Sequence, residues 1–262
     1  MRGQQRCLAH LSNGAGCETL LGVVNELAPV IQDLVKANRI LAYEKVLDAY
    51  GHVSVRNPID PGRYLLACSR SPELVECSDI LEFHLNSEPV VSEARHLYLE
   101  RFIHGAIYQL RPEVNAVVHS HAEDVLPFSI SSTPLRPVIH NASAMGLEAP
   151  VWDIRDMFGD TDLLVTNPER GCDMAKALGG ANVVLMRGHG FTAVGPTLFE
   201  TVRLSVYLPK NARVLMAALR LGEVKTLSAG EVVRRRFDPA GSETRRVWEY
   251  WSRKAGYRDL EA

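Results

Sequence analysis

The chain of 262 residues lacks several features that would define its class at once. It has no uninterrupted apolar run of the ~18 residues that a membrane-spanning helix needs. It also has no Gly-x-Gly-x-x-Gly turn of the kind that binds dinucleotides. Its 29 basic and 31 acidic residues give a formal net charge of only −2. Because nucleic acids and anionic membranes select basic surfaces, the sequence predicts neither as a main partner.

Cysteine is scarce, with five residues and no Cys-x-x-Cys pair. An odd, dispersed set argues against a disulfide framework and against a cysteine-based zinc site. Free thiols are typical of a reducing compartment. The N-terminal segment also lacks the apolar core of a signal peptide. We therefore expect a cytoplasmic protein.

No internal repeat and no low-complexity linker divides the chain. Proline and glycine are spread along it as turn residues, which favours one continuous main domain. We expect this domain over residues 19–235. A loose lead-in over residues 1–18 precedes it, and a helical extension over residues 236–262 follows it.

Apolar periodicity and turn residues predict an α/β protein whose strands occur in adjacent pairs as well as singly. The predicted helices lie within residues 20–50, 92–110, 168–178, 197–221 and 242–254. The predicted strands cover residues 53–56, 64–68, 80–85, 115–121, 163–167, 183–186 and 191–194. A strictly alternating strand–helix order is absent, which argues against a dinucleotide-binding sheet.

Histidines gather at the ends of predicted strands. His119 and His121 are two apart on one strand, so both imidazoles face the same side. Such a pair suits one divalent ion at ~2.0–2.2 Å from each nitrogen. His189 follows another apolar strand between Gly188 and Gly190, which permit a close approach of the backbone. Three imidazoles without a fourth fixed ligand are typical of a catalytic metal site, whereas strand-end or turn histidines without a ligand are the structural alternative.

The helix predicted over residues 92–110 places His96, Glu100 and His104 on one face. That face carries little apolar surface, so packing against a core does not explain the presence of these three residues. We interpret Glu100 as an acid/base group or a fourth metal ligand. The alternative is that Glu100 only pairs with a histidine one turn away.

Two further segments carry candidate binding groups. Ser69, Arg70 and Ser71 follow a predicted strand, and their hydroxyls, guanidinium and free N–H groups suit a carboxylate or phosphate. The alternative for Ser71 is helix capping. Gly51 and His52 begin a strand that alternates apolar residues with polar ones.

These segments together resemble the class II aldolase/adducin superfamily over residues 38–221. Residues 111–121 (Arg-Pro-Glu-Val-Asn-Ala-Val-Val-His-Ser-His) are similar to its metal-binding strand. Residues 186–190 (Met-Arg-Gly-His-Gly) are similar to the loop of its third ligand, and residues 51–56 to its Gly-Asn-x-Ser-x-Arg segment.

The resemblance implies a three-layer α/β/α sandwich with a mostly antiparallel central sheet. It implies one divalent metal ion on His119, His121 and His189, and the ligand set is compatible with Zn, Mn, Fe or Co. The catalytic Glu of the family's aldolases lies nineteen residues before the first metal histidine, which is Glu100 here. Those aldolases are cyclic tetramers with the site at a subunit boundary, so the resemblance also implies a homo-oligomer.

The sequence departs from the sugar-phosphate aldolases at the expected phosphate site. The departures are Tyr98 and Leu99 in place of two serines, His52 in place of an Asn, and Ser69, Arg70 and Ser71 in place of a Thr/Gly loop. These departures weaken the case for a sugar phosphate, and an Arg fork suits a planar carboxylate. The sequence is more similar to the branch of hydroxy-aromatic dicarboxylate decarboxylases, which includes dihydroxyphthalate and hydroxy-methylpyridine-dicarboxylate decarboxylases.

That branch implies a lyase that decarboxylates a hydroxylated aromatic acid through a metal-stabilised enolate-type intermediate. Glu100 would handle the proton. The carboxylate substrate would bind His52, Ser69, Arg70 and Ser71. The alternatives are an aldolase that cleaves a carboxylated or phosphorylated hydroxy-ketone, an iron-dependent oxidative decarboxylase of an aryl-pyruvate type acid, and a non-catalytic adducin-like module.

Overall fold

The computed structural model describes residues 17–235, 238 and 241–256. The lead-in predicted over residues 1–18 lies outside the described residues apart from its last two, which begin the first helix. The predicted division into three segments stays a prediction. Of the helices in the described ranges, none combines the length and hydropathy needed to cross a bilayer.

Seven strands, numbered in chain order, form one sheet. They are β1 (His52–Arg56), β2 (Arg63–Ala67), β3 (Ile80–His84), β4 (Ala116–Ser120), β5 (Val151–Trp152), β6 (Val183–Met186) and β7 (Gly190–Gly195). Their order across the sheet is β3-β2-β1-β4-β7-β6-β5. Neighbouring strands are antiparallel, except that β5 runs parallel to β6. The expectation of a mostly antiparallel sheet is confirmed.

Helices cover both faces of this sheet. They are α1 (Cys17–Tyr43), α2 (Arg101–Leu110), α3 (Leu126–Ser129), α4 (Ile154–Phe158), α5 (Pro168–Leu178), α6 (Leu198–Leu221), α7 (Ala229–Arg234) and α8 (Ser242–Lys254). The ends of α5 and α8 are those that the sequence predicts. At α5, the Asn167 side chain accepts a hydrogen bond from the Arg170 N–H, and Gly179 caps the C-terminus with a φ of +53°.

The alternation of side chains along each strand divides the core into two layers. On β1, Val53 and Val55 point to the layer that contains residues of α1, α6 and α8. Tyr64 of β2 and Val117 of β4 point to the opposite layer, under α2 and α5. Trp251 of α8 is buried in the first layer. The three-layer α/β/α sandwich is therefore confirmed, and the polar residues of β1 face α2.

The helix predicted over residues 92–110 is wrong in its first half, because α2 begins only at Arg101. Residues 92–100 instead run beside the loop that follows β2. The Ser69 N–H donates to the His96 carbonyl oxygen at 2.8 Å, and the Arg95 guanidinium donates to the Ser78 carbonyl oxygen at 2.8 Å. These tertiary hydrogen bonds replace those of a helix.

The strand predicted over residues 163–167 does not form. Its backbone groups bond to side chains instead of to a neighbouring strand. The Val165 N–H donates to Glu100 Oε1 at 2.9 Å, and the Leu163 carbonyl oxygen contacts His189 Nδ1 at 3.1 Å. This apolar run, which has the pattern of a strand, is therefore a loop that contacts Glu100 and His189 of the candidate site.

Candidate metal centre

Three imidazoles converge where the end of β4 meets the turn between β6 and β7. His119 Nε2 lies 3.1 Å from His121 Nε2, which itself lies 3.1 Å from His189 Nε2. The two histidines of the His-x-His pair face the same side, as the strand period predicts. The structure therefore brings together the three histidines that the sequence singled out as metal ligands.

Glu100, the residue just before α2, also belongs to this cluster. Its Oε2 lies 3.4 Å from the Nε2 atoms of both His119 and His189. The candidate ligand atoms of all four residues lie within 4.8 Å of one another. Ligands at ~2.0–2.1 Å from a tetrahedral ion are themselves about 3.3 Å apart. Four of the six separations are 3.1–3.4 Å and match the spacing of neighbouring ligands around one ion.

The second ring nitrogen of each histidine also has a partner. The contacts are His121 Nδ1 to the Asp48 carboxylate (3.2 and 3.3 Å), His189 Nδ1 to the Leu163 carbonyl oxygen (3.1 Å) and His119 Nδ1 to Thr192 Oγ1 (3.4 Å). When each Nδ1–H donates to these oxygens, each Nε2 keeps its lone pair for a ligand. Outer contacts of this kind orient the histidines of metal sites.

Two glycines allow the turn that carries His189. Gly188 has a φ of +65°, a region that side chains disfavour. At Gly190, a Cβ atom would lie 2.0 Å from the Ser120 carbonyl oxygen. The turn can therefore close on the end of β4 only because residue 190 has no side chain. This close approach was predicted from the Gly-His-Gly sequence.

Glu100 is buried and is held from two sides. Its burial raises the pKa, but the neighbouring ring nitrogens of His119 and His189 outweigh this effect and hold the pKa well below its usual range. Glu100 is therefore ionised. Burial lowers the pKa of His119 to about 4, so its imidazole is neutral at pH 7. A neutral imidazole beside a carboxylate is the protonation state that a divalent cation requires.

A cavity of about 530 Å³ opens beside the cluster. Its lining contains Glu100, His121 and the four residues predicted to bind substrate, His52, Ser69, Arg70 and Ser71. Arg70 is half-exposed, and its Nε contacts the Leu74 carbonyl oxygen (2.7 Å) and Asp79 Oδ2 (3.0 Å). Tyr98, Leu99 and Leu164 add apolar surface to the same wall.

The other two residues of the predicted helical face lie away from the cluster. His96 is exposed in the loop before α2. His104 is fully buried and contacts His52 instead of Glu100. The argument that placed Glu100 on a shared helical face is thus wrong, although Glu100 itself lies against the histidines.

Sequence reasoning missed the groups that orient the ligands. Asp48 accepts hydrogen bonds from the N–H groups of Tyr50 and Gly51, both at 2.9 Å, and so has the spacing of an Asp turn before a glycine. Burial raises the pKa of Asp48, but these donors and His121 outweigh it and hold the pKa below its usual range. The turn was recognisable from the sequence, whereas its contact with His121 was not.

Comparisons with known proteins identify the family of this chain and several of its relatives. The family described as Class II Aldolase and Adducin N-terminal domain matches residues 32–216. The chain is 37% identical over 204 residues to the Decarboxylase tropJ of Talaromyces stipitatus, which covers 73% of this chain and 77% of the relative. It is 29% identical over 181 residues to the 3,4-dihydroxyphthalate decarboxylase of Arthrobacter keyseri, which covers 63% and 69%.

A similar fold is known from solved structures. The aldolase II superfamily protein from Pseudomonas syringae superposes with a TM-score of 0.70 at 20% identity, over 87% of this chain and 92% of that one. This likeness shows the fold alone. The two relatives named by sequence are described as decarboxylases, and the fold of this chain is that of the class II aldolases.

Proposed function

The chain belongs to the class II aldolase and adducin family, and we propose that it is a metal-dependent carbon–carbon lyase. Both relatives named above by sequence are described as decarboxylases. The activity proposed is the decarboxylation of a hydroxylated benzene or pyridine carboxylic acid. The observation that carries the proposal is the convergence of three imidazoles and Glu100 on one point at the edge of a cavity.

A divalent ion, Zn, Mn, Fe or Co, would be held by His119, His121 and His189. When bound, such an ion supplies a Lewis acid next to the carbon–carbon bond that breaks. The three histidines do not select among these metals, because imidazole ligands suit all of them. What the chain itself contributes is the neutral state of His119 and the fixed orientation of all three rings.

Glu100 is proposed to move the proton. Its Oε1 is occupied by the Val165 N–H, so Oε2 is the oxygen that reaches the substrate. Being ionised at rest, Glu100 first accepts the proton of a substrate hydroxyl at Oε2. It then delivers that proton to the ring carbon after CO₂ has left, and solvent reprotonates the hydroxyl. A positioned carboxylate typically contributes about 10²–10⁴-fold to such a step.

The cavity accommodates an aromatic acid. Its volume of about 530 Å³ is within the usual range for small-molecule sites. Tyr98 and Leu164 offer apolar surface to a ring. Ser69, Arg70 and Ser71 would bind a second carboxylate, with hydroxyl and guanidinium donors on the same wall.

The test is CO₂ release from a panel of dihydroxy-aromatic and hydroxypyridine dicarboxylates. Chelated enzyme is assayed before and after Mn, Fe or Zn is added back, and O₂ uptake is recorded in parallel. Metal-dependent CO₂ release without O₂ uptake supports the proposal. Aldol cleavage of a carboxylated or phosphorylated hydroxy-ketone without CO₂ would instead identify an aldolase. CO₂ release that requires O₂ would identify an oxidative decarboxylase.

The enzyme is also proposed to act as a homotetramer. The support is the family's assembly, in which the site lies at a subunit boundary. Light scattering of the purified chain tests this directly, because a monomer or dimer mass at assay concentration contradicts it.

A further inference from the structure

Behind the cavity wall, four buried polar side chains form a continuous chain of hydrogen bonds. His52 and Ser54 lie on the same face of β1, and His104 and Tyr108 lie one turn apart on α2. His52 Nδ1 is 2.6 Å from His104 Nε2, and His104 Nδ1 is 2.6 Å from Ser54 Oγ. Ser54 Oγ is 2.8 Å from the Tyr108 hydroxyl. None of the four is more than 2% exposed.

The direction of these hydrogen bonds follows from Tyr108, the last of the four hydrogen-bonded side chains. In the described part of the protein, Ser54 Oγ is the only hydrogen-bond partner of the Tyr108 hydroxyl. Burial raises the pKa of Tyr108, so the hydroxyl keeps its proton. A buried donor without an acceptor costs about 1–3 kcal/mol. The Tyr108 hydroxyl therefore donates to Ser54 Oγ.

The remaining protons are then fixed one after another. Ser54 accepts from Tyr108, so its own hydroxyl donates to His104 Nδ1. His104 therefore carries its proton on Nε2 and donates it to His52 Nδ1. Both imidazoles are neutral, because His104 Nδ1 accepts from Ser54 and His52 Nδ1 accepts from His104, so one nitrogen of each ring carries no proton. His52 consequently carries its proton on Nε2.

The Nε2 atom of His52 is the nitrogen left to face the cavity. The ring of His52 lines that cavity and packs on Tyr98 with a centroid separation of 4.7 Å. Its Nδ1 points the other way, to His104. A donor at this place matches an acceptor oxygen on the substrate, such as a carboxylate oxygen.

We propose that Tyr108, Ser54 and His104 are positioning residues that hold His52 as a neutral Nε2–H donor to a substrate carboxylate. This inference rests on the proposed function for the identity of the acceptor, but the tautomer itself does not depend on the reaction. The chain of donors makes the site selective for oxygen acceptors at this point. A substrate that offers only an N–H donor here would leave the buried imidazole unpaired.

The first test is spectroscopic and uses the full chain loaded with zinc. Long-range ¹H–¹⁵N correlation spectra of ¹⁵N-histidine-labelled protein distinguish the two tautomers of each ring. The signals are assigned with His52→Gln and His104→Gln. We expect both rings to be protonated on Nε2. A proton on Nδ1 of either ring overturns the inference.

Tyr108→Phe removes the first donor of the chain. We expect the Nε2–H population of His52 to fall and the KM for the substrate to rise about tenfold, with kcat and zinc content little changed, since tenfold corresponds to the loss of one hydrogen bond. The matched control is Tyr64→Phe. Tyr64 is an equally buried tyrosine whose ring centroid lies 5.3 Å from that of Tyr108, but its hydroxyl donates to the Arg101 carbonyl oxygen.

Ser54→Ala cuts the chain at its middle and provides a second variant if Tyr108→Phe folds poorly. An unchanged His52 tautomer and KM in both variants would overturn the inference. The outcomes for the proposed function are separate. Nε2–H tautomers without CO₂ release from any substrate would leave the positioning chain standing and overturn the decarboxylase. CO₂ release with Nδ1–H tautomers would do the opposite.

Discussion

His52 and His119 are register partners on β1 and β4, and their ring centroids lie 5.1 Å apart. One residue lines the substrate cavity, and the other belongs to the candidate metal centre. Their separation is set by the backbone hydrogen bonds of two central strands. Sites built on strands are held more rigidly than sites built on loops. The sheet thus fixes the distance between the proposed metal and one proposed substrate contact.

His119→Ala should abolish both metal retention and turnover. His119 is fully buried and contributes the innermost Nε2 of the cluster, so no solvent-exposed group replaces it. Metal content after dialysis and CO₂ release are the measurements. His84→Ala, at an exposed histidine of β3, is the control and should retain both. A His119→Ala variant with one metal ion per chain and full activity would contradict the proposed ligand set.

Glu100→Gln should slow turnover by about 10²–10⁴-fold while the three histidines retain the metal. Glutamine keeps an acceptor for the Val165 N–H but cannot take up and return a proton. The comparison of kcat and metal content in the same preparation separates these effects. Turnover within a factor of about two of the unmodified enzyme would show that Glu100 does not transfer the proton.

Most elements of the fold were predictable because local signals mark them. The glycines that close α5 and the apolar run of β6 predict bounds that agree with the structure. The His-x-His pair predicted a shared ligand direction because the period of a strand is two. These signals lie within a few residues of what they predict, so no tertiary contact was needed to find them.

The errors occur where tertiary contacts override local patterns. Residues 92–100 have a helical pattern, but Ser69 and Ser78 hold their backbone and side chains in a loop. Residues 163–167 have a strand pattern, but an N–H group of this segment donates to Glu100 and one of its carbonyl oxygens contacts His189. The expectation that His104 shares a helical face with Glu100 is wrong for the same reason, because His104 contacts His52. A contact between α2 and β1 has no local signal in the sequence.

Asp48→Asn should weaken metal affinity by about 10–100-fold, as losses of outer contacts at metal sites commonly do. Asparagine can still accept from the Tyr50 and Gly51 N–H groups, so the turn is kept. What is lost is the negative charge of the Asp48 carboxylate that contacts His121 Nδ1. Competition with a chromogenic chelator gives the zinc affinity. Asp60→Asn is the matched control, because Asp60 accepts from the Gly62 N–H in a similar turn but does not belong to the cluster. Equal affinities in the two variants would contradict the role of Asp48.

Gly190→Ala should displace the turn that carries His189. The added Cβ would lie 2.0 Å from the Ser120 carbonyl oxygen, so the backbone must move. We expect a stability loss of roughly 1–3 kcal/mol, the usual cost of overpacking, together with weaker metal retention. Gly180→Ala is the control, since nothing lies within 4 Å of its added Cβ. Urea unfolding and metal content measure the two effects, and a Gly190→Ala variant that matches Gly180→Ala in both would refute the steric argument.

The metal-free chain should lose stability as the pH falls below about 6.5, the ordinary pKa of histidine. His52, His104 and His119 are buried, and burial lowers the pKa of each, to about 3 for His104 and about 4 for His119. Above pH ~6.5 these histidines are neutral in both states and cost nothing. Below pH ~6.5 these histidines become protonated in the unfolded chain but stay neutral in the folded chain. Proton binding therefore favours the unfolded state.

The loss can be as large as about 1.4 kcal/mol per pH unit for each such histidine, or about 2 kcal/mol between pH 6.5 and 5. Urea unfolding of the chelated protein at several pH values measures it. In His104→Gln the free energy of unfolding should depend less steeply on pH, because the unfolded variant has one histidine fewer to protonate. His84→Gln should keep the full dependence, since that side chain is exposed. A His104→Gln slope equal to that of the unmodified chain would show that His104 is not held neutral by the fold.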